Sequence, residues 1–229
     1  MTALAAFKDG QKRLSSRGEE ARTLELADLF RPIARQFLFG GCFEVYSKGK
    51  LVRRVYPHTV EFYYNEEADG GLKDYIVYHR NKIRIKDGKA TLEEPPYFEV
   101  GAINAHQSGI DITFESPEGQ YRASALIRAF RYEEGGKEIT DTRSTYLYDH
   151  LFTGAEMPIT IRWKSSKEPV QGLELYQGYR VNVFKYEKEL GEDGKPVWSM
   201  PKEPDRRPWA FSATPFKEKL RYIPKKASF

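Results

Sequence analysis

The chain has 229 residues, 40% of them hydrophobic and 31% charged, with a formal net charge of +4. That is enough for one sizeable core in an ordinary folded protein. Cys42 is the only cysteine, which excludes an intrachain disulfide and fits a reducing compartment. No stretch approaches the roughly 20 apolar residues of a membrane span, and the run Ala3 to Phe7 is too short for a signal-peptide core; the expectation is a cytoplasmic protein with no membrane partner.

In chain order, the sequence predicts a short helix over Thr2 to Leu14, broken at Ser15-Ser16-Arg17-Gly18. Glu19 to Leu38 then carries Leu24, Leu26, Leu29, Phe30, Ile33, Phe37 and Leu38 at helical spacing, with Pro32 expected to end or kink the helix near Phe30 and Gly40-Gly41 to stop it. Phe43 to Tyr46 and Leu51 to Tyr56 read as a hairpin about Lys48-Gly49-Lys50. Thr59 to Tyr64 is a strand in which Glu61 and Tyr63 share a face and Phe62 takes the other. Asn65 to Gly71 is an acidic loop; Asp74 to Arg80 and Lys82 to Lys86 resume a β-like pattern; Asp87-Gly88 is a tight turn into a return strand. Asn104 to Gly109 reads as a polar loop, and Ile110 to Phe114 and Tyr121 to Tyr132 as the strongest strands. Thr145 to Leu151 is aromatic-rich, Met157 to Trp163 is a further strand, Leu173 to Glu187 is β-like, and Glu189 to Lys195 is a loop.

The basic excess is C-terminal. Between Pro201 and Phe229 eight basic residues stand against three acidic ones, which leaves the rest of the chain slightly acidic. Pro201 to Pro208 is linker-like, but Trp209-Ala210-Phe211 has the composition to pack back. The expected organisation is a single domain over 1–200, with a basic Pro-rich segment over 201–229 packed on it or extended. The fold class is α+β: a curved, mostly antiparallel β-sheet with N-terminal helices.

An ordered series of motifs adds a functional expectation. Ala34-Arg35-Gln36-Phe37-Leu38 before Gly40-Gly41 ends a helix; Val60-Glu61-Phe62-Tyr63 ends a strand; His79-Arg80, Gly109-Ile110-Asp111-Ile112 and Leu126-Ile127-Arg128-Ala129 follow in turn. Over about the middle half of the chain, this series resembles the alkyladenine (methylpurine, 3-methyladenine) DNA glycosylase family. The resemblance implies that fold, DNA as partner, no cofactor and no metal. It implies that Glu61 activates water for attack at the glycosidic carbon of a flipped nucleotide and that Arg128 orients the water or a phosphate. It places Tyr63 and His79 as walls around the base. The reading of Glu61 from the residues alone leaves a second option, a surface carboxylate paired with Arg53 or Arg54 across the hairpin.

Two departures from the family bear on specificity. Asp111 stands where the family often has Asn, and an acid there prefers a donor on the base, such as an exocyclic amine, or serves as a second carboxylate acting on water. The family's aromatic wedge has no counterpart in Gly101 to Gln107 beyond His106 and Ile103, which favours a single-stranded or damaged substrate over an intact duplex. The family's middle helical section is also replaced, by Tyr146 to Tyr186. Candidate nucleic-acid contacts are Arg53, Arg206, Arg207, Lys217 and Lys219. The four histidines show no ligand spacing. Alongside the hydrolase stand two further readings: a nucleic-acid- or nucleotide-binding module of the same fold without the activity, and a partner-binding protein whose basic tail docks on a subunit.

Overall fold

A computed structural model describes residues 2–14, 18–86, 89–166, 173–181, 183–185, 188–190, 196–198 and 203–216. Two helices open the chain, α1 (Thr2–Gln11) and α2 (Glu19–Phe39). Leu26, Phe30, Ile33 and Phe37 recur every three or four residues along α2 and are all buried, the apolar stripe of a helix that covers a sheet. Pro32 lies inside this helix and does not end it. Its missing N–H costs one helical bond, but Phe30 and Ile33 on either side are locked in the core and carry the helix through.

The strands follow as β1 (Gly41–Ser47), β2 (Lys50–Glu66), β3 (Lys82–Lys86), β4 (Lys89–Glu93), β5 (Ile103–His106), β6 (Gly109–Thr113), β7 (Tyr121–Glu134) and β8 (Lys137–Asp141). After α3 (Tyr146–Phe152) come β9 (Ile159–Ser165), β10 (Tyr176–Gly178), β11 (Phe184–Lys185), β12 (Lys188–Leu190), β13 (Pro196–Trp198), β14 (Glu203–Pro204) and β15 (Ala210–Ser212). A curled sheet runs in the order β10-β15-β2-β7-β6-β5, extended by β1 and β9 beside β2 and by β8 beside β7. Every pairing in it is antiparallel. The architecture is therefore one α+β domain, a curled antiparallel sheet with a few helices.

β2 is the spine. Its register against β7 slips at Pro57 to Thr59, where proline has no N–H for the ladder, and is regular from Val60 to Glu66. Beyond the slip, Phe62 stacks on Phe30 of α2 at 4.5 Å between ring centroids, and Phe7 of α1 stacks on Phe30 at 5.5 Å. Burying an aromatic ring of this kind contributes about 2–3 kcal/mol, so these rings fix which face of β2 meets the helices. Glu61 and Tyr63 consequently face away from them.

Three stretches differ from the sequence expectation, and a fourth, Thr145 to Leu151, carried none beyond its aromatic content. Residues 74–80 form turns rather than a strand, because their backbone and side chains are engaged by single contacts: the Asp74 N–H donates to Asn65 Oδ1 at 3.0 Å and the Arg80 guanidinium to the Tyr75 carbonyl at 2.9 Å. Asn104 to His106, expected to be loop, lies in strand β5, in a tight hairpin with β6. Thr145 to Leu151 folds largely as α3. Among the described residues of Leu173 to Glu187, the strands are the short β10 and β11, with Arg180 buried between them. The linker-like 201–208 also ends in buried structure: Asp205 and Arg207 are buried, and the Asp205 N–H donates to the Val183 carbonyl at 2.8 Å. Beyond it, Trp209 is fully buried, donates its indole N–H to the Thr23 carbonyl at 3.0 Å, and leads into β15 beside β2. The expected turn at Asp87-Gly88 lies outside the described residues, as does most of the Glu189 to Lys195 loop. No helix among the described residues is long and apolar enough to cross a membrane.

Candidate functional site

Across the face of the sheet turned away from α2, the ladder lines up three residues. Glu61 on β2 is the direct partner of Leu126 on β7, and Leu126 is the direct partner of Asp111 on β6. Direct partners share a face, so two carboxylates flank one leucine, two strand spacings apart, on the order of 9–10 Å between backbones. One step along, Tyr63 pairs with Ser124. Arg128, two residues beyond Leu126, returns to the same face. These six side chains form one wall of a cavity of about 220 Å³. The turns at 76–78, the β5–β6 hairpin at His106 and Ser108, and Val181 and Val183 complete it.

Glu61 is 1% exposed. Its Oε1 accepts the Val181 backbone N–H at 3.0 Å and its Oε2 accepts the Tyr63 hydroxyl at 3.1 Å. Burial, then the neighbouring Glu61 charge, pushes the Tyr63 phenol well above its ordinary range, so it remains a protonated donor. The Arg128 guanidinium lies 3.8 Å from Glu61 Oε1 and donates to the Ser144 hydroxyl at 2.7 Å; that hydroxyl in turn donates to the Ser108 carbonyl at 2.8 Å. The chain of contacts ties Arg128 to the β5–β6 turn. Gly109 makes that closeness possible: its φ is +136°, and a Cβ there would sit 3.1 Å from the Ser144 carbonyl oxygen.

The opposite end of the row is built differently. Asp111 is 4% exposed. Its Oδ2 accepts the Ser124 hydroxyl at 3.2 Å and lies 3.2 Å from His106 Nε2. His106 Nδ1 accepts the Ser108 N–H at 3.2 Å, which places the imidazole proton on Nε2, facing the carboxylate. The Tyr78 ring lies against the His106 ring at 4.5 Å, and its hydroxyl is 3.0 Å from Ser108 Oγ. The two rings, tilted 34° to each other, make an aromatic flank beside the carboxylates.

The structure thus brings together Glu61, Tyr63, His106, Asp111 and Arg128. The alternative pairing of Glu61 with an arginine across the hairpin is not formed: Arg54 pairs with Glu44 at 3.0 Å, and Arg53 donates to the His150 carbonyl and, at 2.8 Å, to the Thr153 carbonyl at the end of α3. Arg53 is therefore engaged in holding α3. His79 does not line the cavity. It is buried against the Glu115 carboxylate and edge-on to Phe98 at 5.5 Å, in a cluster where Glu115 also pairs with Arg122 at 3.2 Å and Arg122 lies over Tyr97 at 3.5 Å. Because 74–80 is a turn, Tyr78 and not His79 reaches the cavity.

Arg207, expected to face nucleic acid, is buried: it donates to the Lys73 carbonyl at 2.7 Å and lies 5.0 Å from the Trp209 ring. Its neighbours Arg180, Asp74 and Asp205 form a compact charge cluster, with Arg180 donating to Asp74 at 2.5 Å and to Asp205 at 2.6 Å. Burial presses the Arg180 pKa down, but the two carboxylates outweigh it and hold the guanidinium above its ordinary value. Arg206 is exposed, and Lys217 and Lys219 lie outside the described residues. Tyr78, Ser108, Ser124, Val181 and Val183 escape a reading by motif. Only the Tyr78-His79 neighbourhood carried a signal, and it pointed to the wrong residue of the pair. Among the described residues no three His, Cys, Asp or Glu side chains stand together as a metal site.

Comparison of the chain with protein-family models, with curated proteins and with solved structures finds no match.

Proposed function

We propose that this protein is a DNA glycosylase-like hydrolase that removes a modified purine or related base by water attack at the glycosidic carbon. The observation that supports it is the composition of the cavity: the buried Glu61 with Arg128 at 3.8 Å, beside the aromatic flank of Tyr78 and His106. At about 220 Å³ the cavity falls below the roughly 300–1,000 Å³ of sites for drug-sized ligands. It suits one heterocycle rather than a whole nucleotide, the situation of a base turned out of a strand. In this reading the Glu61 carboxylate accepts a proton from water as the water oxygen bonds to the sugar carbon. The carbon–nitrogen bond breaks, and its electron pair leaves with the base. The Val181 N–H and Tyr63 hydroxyl hold the carboxylate in place, and Arg128 orients the water or an adjacent phosphate. The fold would then be the glycosylase variety of a curled antiparallel sheet, with DNA as the partner. Incubation with single- and double-stranded oligonucleotides carrying alkylated or deaminated purines tests the proposal. Abasic sites form with the native chain and not with Glu61→Gln; equal release by both would sink the mechanism.

A second reading, a binding module of the same fold without turnover, draws on one specific observation: both Glu61 oxygens already accept a hydrogen bond. It predicts oligonucleotide binding without abasic sites, with affinity falling steeply as salt rises. Affinity that stays flat between low and moderate salt would count against nucleic acid in either reading.

A further inference from the structure

We infer that Asp111 selects an occupant that offers it an N–H donor, so that the cavity takes amino-substituted bases in preference to bases with an oxo group at the same edge. This rests on the reading of the cavity as a base pocket and adds the class of base. Asp111 lines the cavity and is 4% exposed, yet only one of its oxygens is occupied. Oδ2 takes the Ser124 hydroxyl and faces His106 Nε2; Oδ1 is buried and accepts no hydrogen bond from any described residue. A carboxylate oxygen removed from water without a donor carries an uncompensated desolvation penalty. Its two neighbours cannot turn to relieve it. The His106 ring is pinned by the Ser108 N–H on Nδ1 and by Tyr78 against its face, and the Ser124 hydroxyl already serves Oδ2.

The remaining donor therefore comes from whatever enters. An exocyclic amine or a protonated ring nitrogen supplies it; an oxo group sets lone pairs against lone pairs. Charge points the same way. Among the residues that line the cavity stand two carboxylates, Glu61 and Asp111, and one guanidinium, Arg128, which lies toward Glu61. At the Asp111 end of the row the described residues place no guanidinium or ammonium, and Asp111 faces the His106 imidazole at 3.2 Å.

Calorimetric titration of the full chain with free adenine and with free 1-methylhypoxanthine, which carries an oxo group in place of the amine and no N–H on the ring nitrogen beside it, tests the inference. Adenine is expected to bind at least about tenfold more tightly, in line with a site whose buried acceptor is left unpaired by the wrong analogue. Asp111→Asn, whose amide offers either an oxygen or an NH₂, should bring the two affinities to within about twofold. Equal affinities in the native chain overturn the inference while leaving the base-pocket reading standing, and a preference unchanged in Asp111→Asn overturns it as well. Binding of neither base overturns both. The comparison of the two bases on the native chain needs no variant to fold. Preference for adenine without any glycosidic cleavage in the oligonucleotide assay would uphold the inference and remove only the hydrolase.

Discussion

Two charged clusters are built to opposite ends. In one, Arg180 and Arg207 meet Asp74 and Asp205, two cations against two anions, wedged between Tyr63 and Trp209 with Arg180 4.8 Å and 5.1 Å from their rings. In the other, Glu61 and Asp111 face an open cavity whose one guanidinium, Arg128, lies toward Glu61. The first joins distant segments, since Asp74 follows β2 and Asp205 precedes β15. The second leaves the Asp111 Oδ1 acceptor unfilled at a cavity wall, whereas the unfilled donors of the first, Arg180 Nε and Arg207 Nε and Nη1, belong to side chains that do not line that cavity. Charges matched among themselves serve the fold; charges left short of partners beside a cavity are available to a ligand.

Each cluster can be broken separately. The largest expected effect is Glu61→Gln, which should lower glycosidic cleavage by about 10²–10⁴-fold, the usual contribution of a positioned general base. Its urea midpoint should stay near that of the native chain, because the amide still accepts the Val181 N–H. Arg180→Met comes next. It leaves Asp74 and Asp205 buried without their main cation, and stripping one partner from such a group costs about 3–5 kcal/mol. An unfolding midpoint that barely moves would mean the cluster is no brace.

A smaller effect sharpens the contrast through pH. Burial raises the Asp205 pKa, but Arg180 and then Arg207 outweigh it and hold the carboxyl below its ordinary 3.8. A depressed carboxylate stabilises the fold fully above the unfolded value and loses that contribution as pH falls through the lower folded value. Stability should therefore decline on this account only below about pH 3.8. In Arg180→Met the burial contribution gains weight and the decline should begin at higher pH. Thermal unfolding followed from pH 6 to pH 3 separates the two curves; coincident curves would detach Asp205 from Arg180.

Local pattern carried much of the fold. The alternation at Val60 to Tyr64 placed Glu61 and Tyr63 together and Phe62 opposite, and the register with β7 has that arrangement. Leu126-Ile127-Arg128-Ala129 likewise set Arg128 within an otherwise apolar strand, and its guanidinium stands 3.8 Å from Glu61. Where short contacts override pattern, local reading fails. At 74–80 alternating side chains imitate a strand, while Asp74 and Arg80 hold turns instead, and the exchange of Tyr78 for His79 at the cavity follows directly. Arg207 was misjudged for a related reason: composition counts a cation but does not reveal the carboxylates that fold around it.

By itself, the sequence determined the two N-terminal helices, the alternation along β2 and β7, and that a carboxylate and an aromatic share a face of β2. Those properties depend on neighbours a few positions apart, through backbone periodicity and side-chain volume. Only the tertiary structure decided that Asp111, Leu126 and Glu61 form one row. The same holds for Val181, which brings an N–H from 120 residues away to Glu61, and for the burial of Arg207 while Arg206 stays exposed. Strand register and the closing of distant loops set these relations, and each depends on packing that no short window of the chain contains.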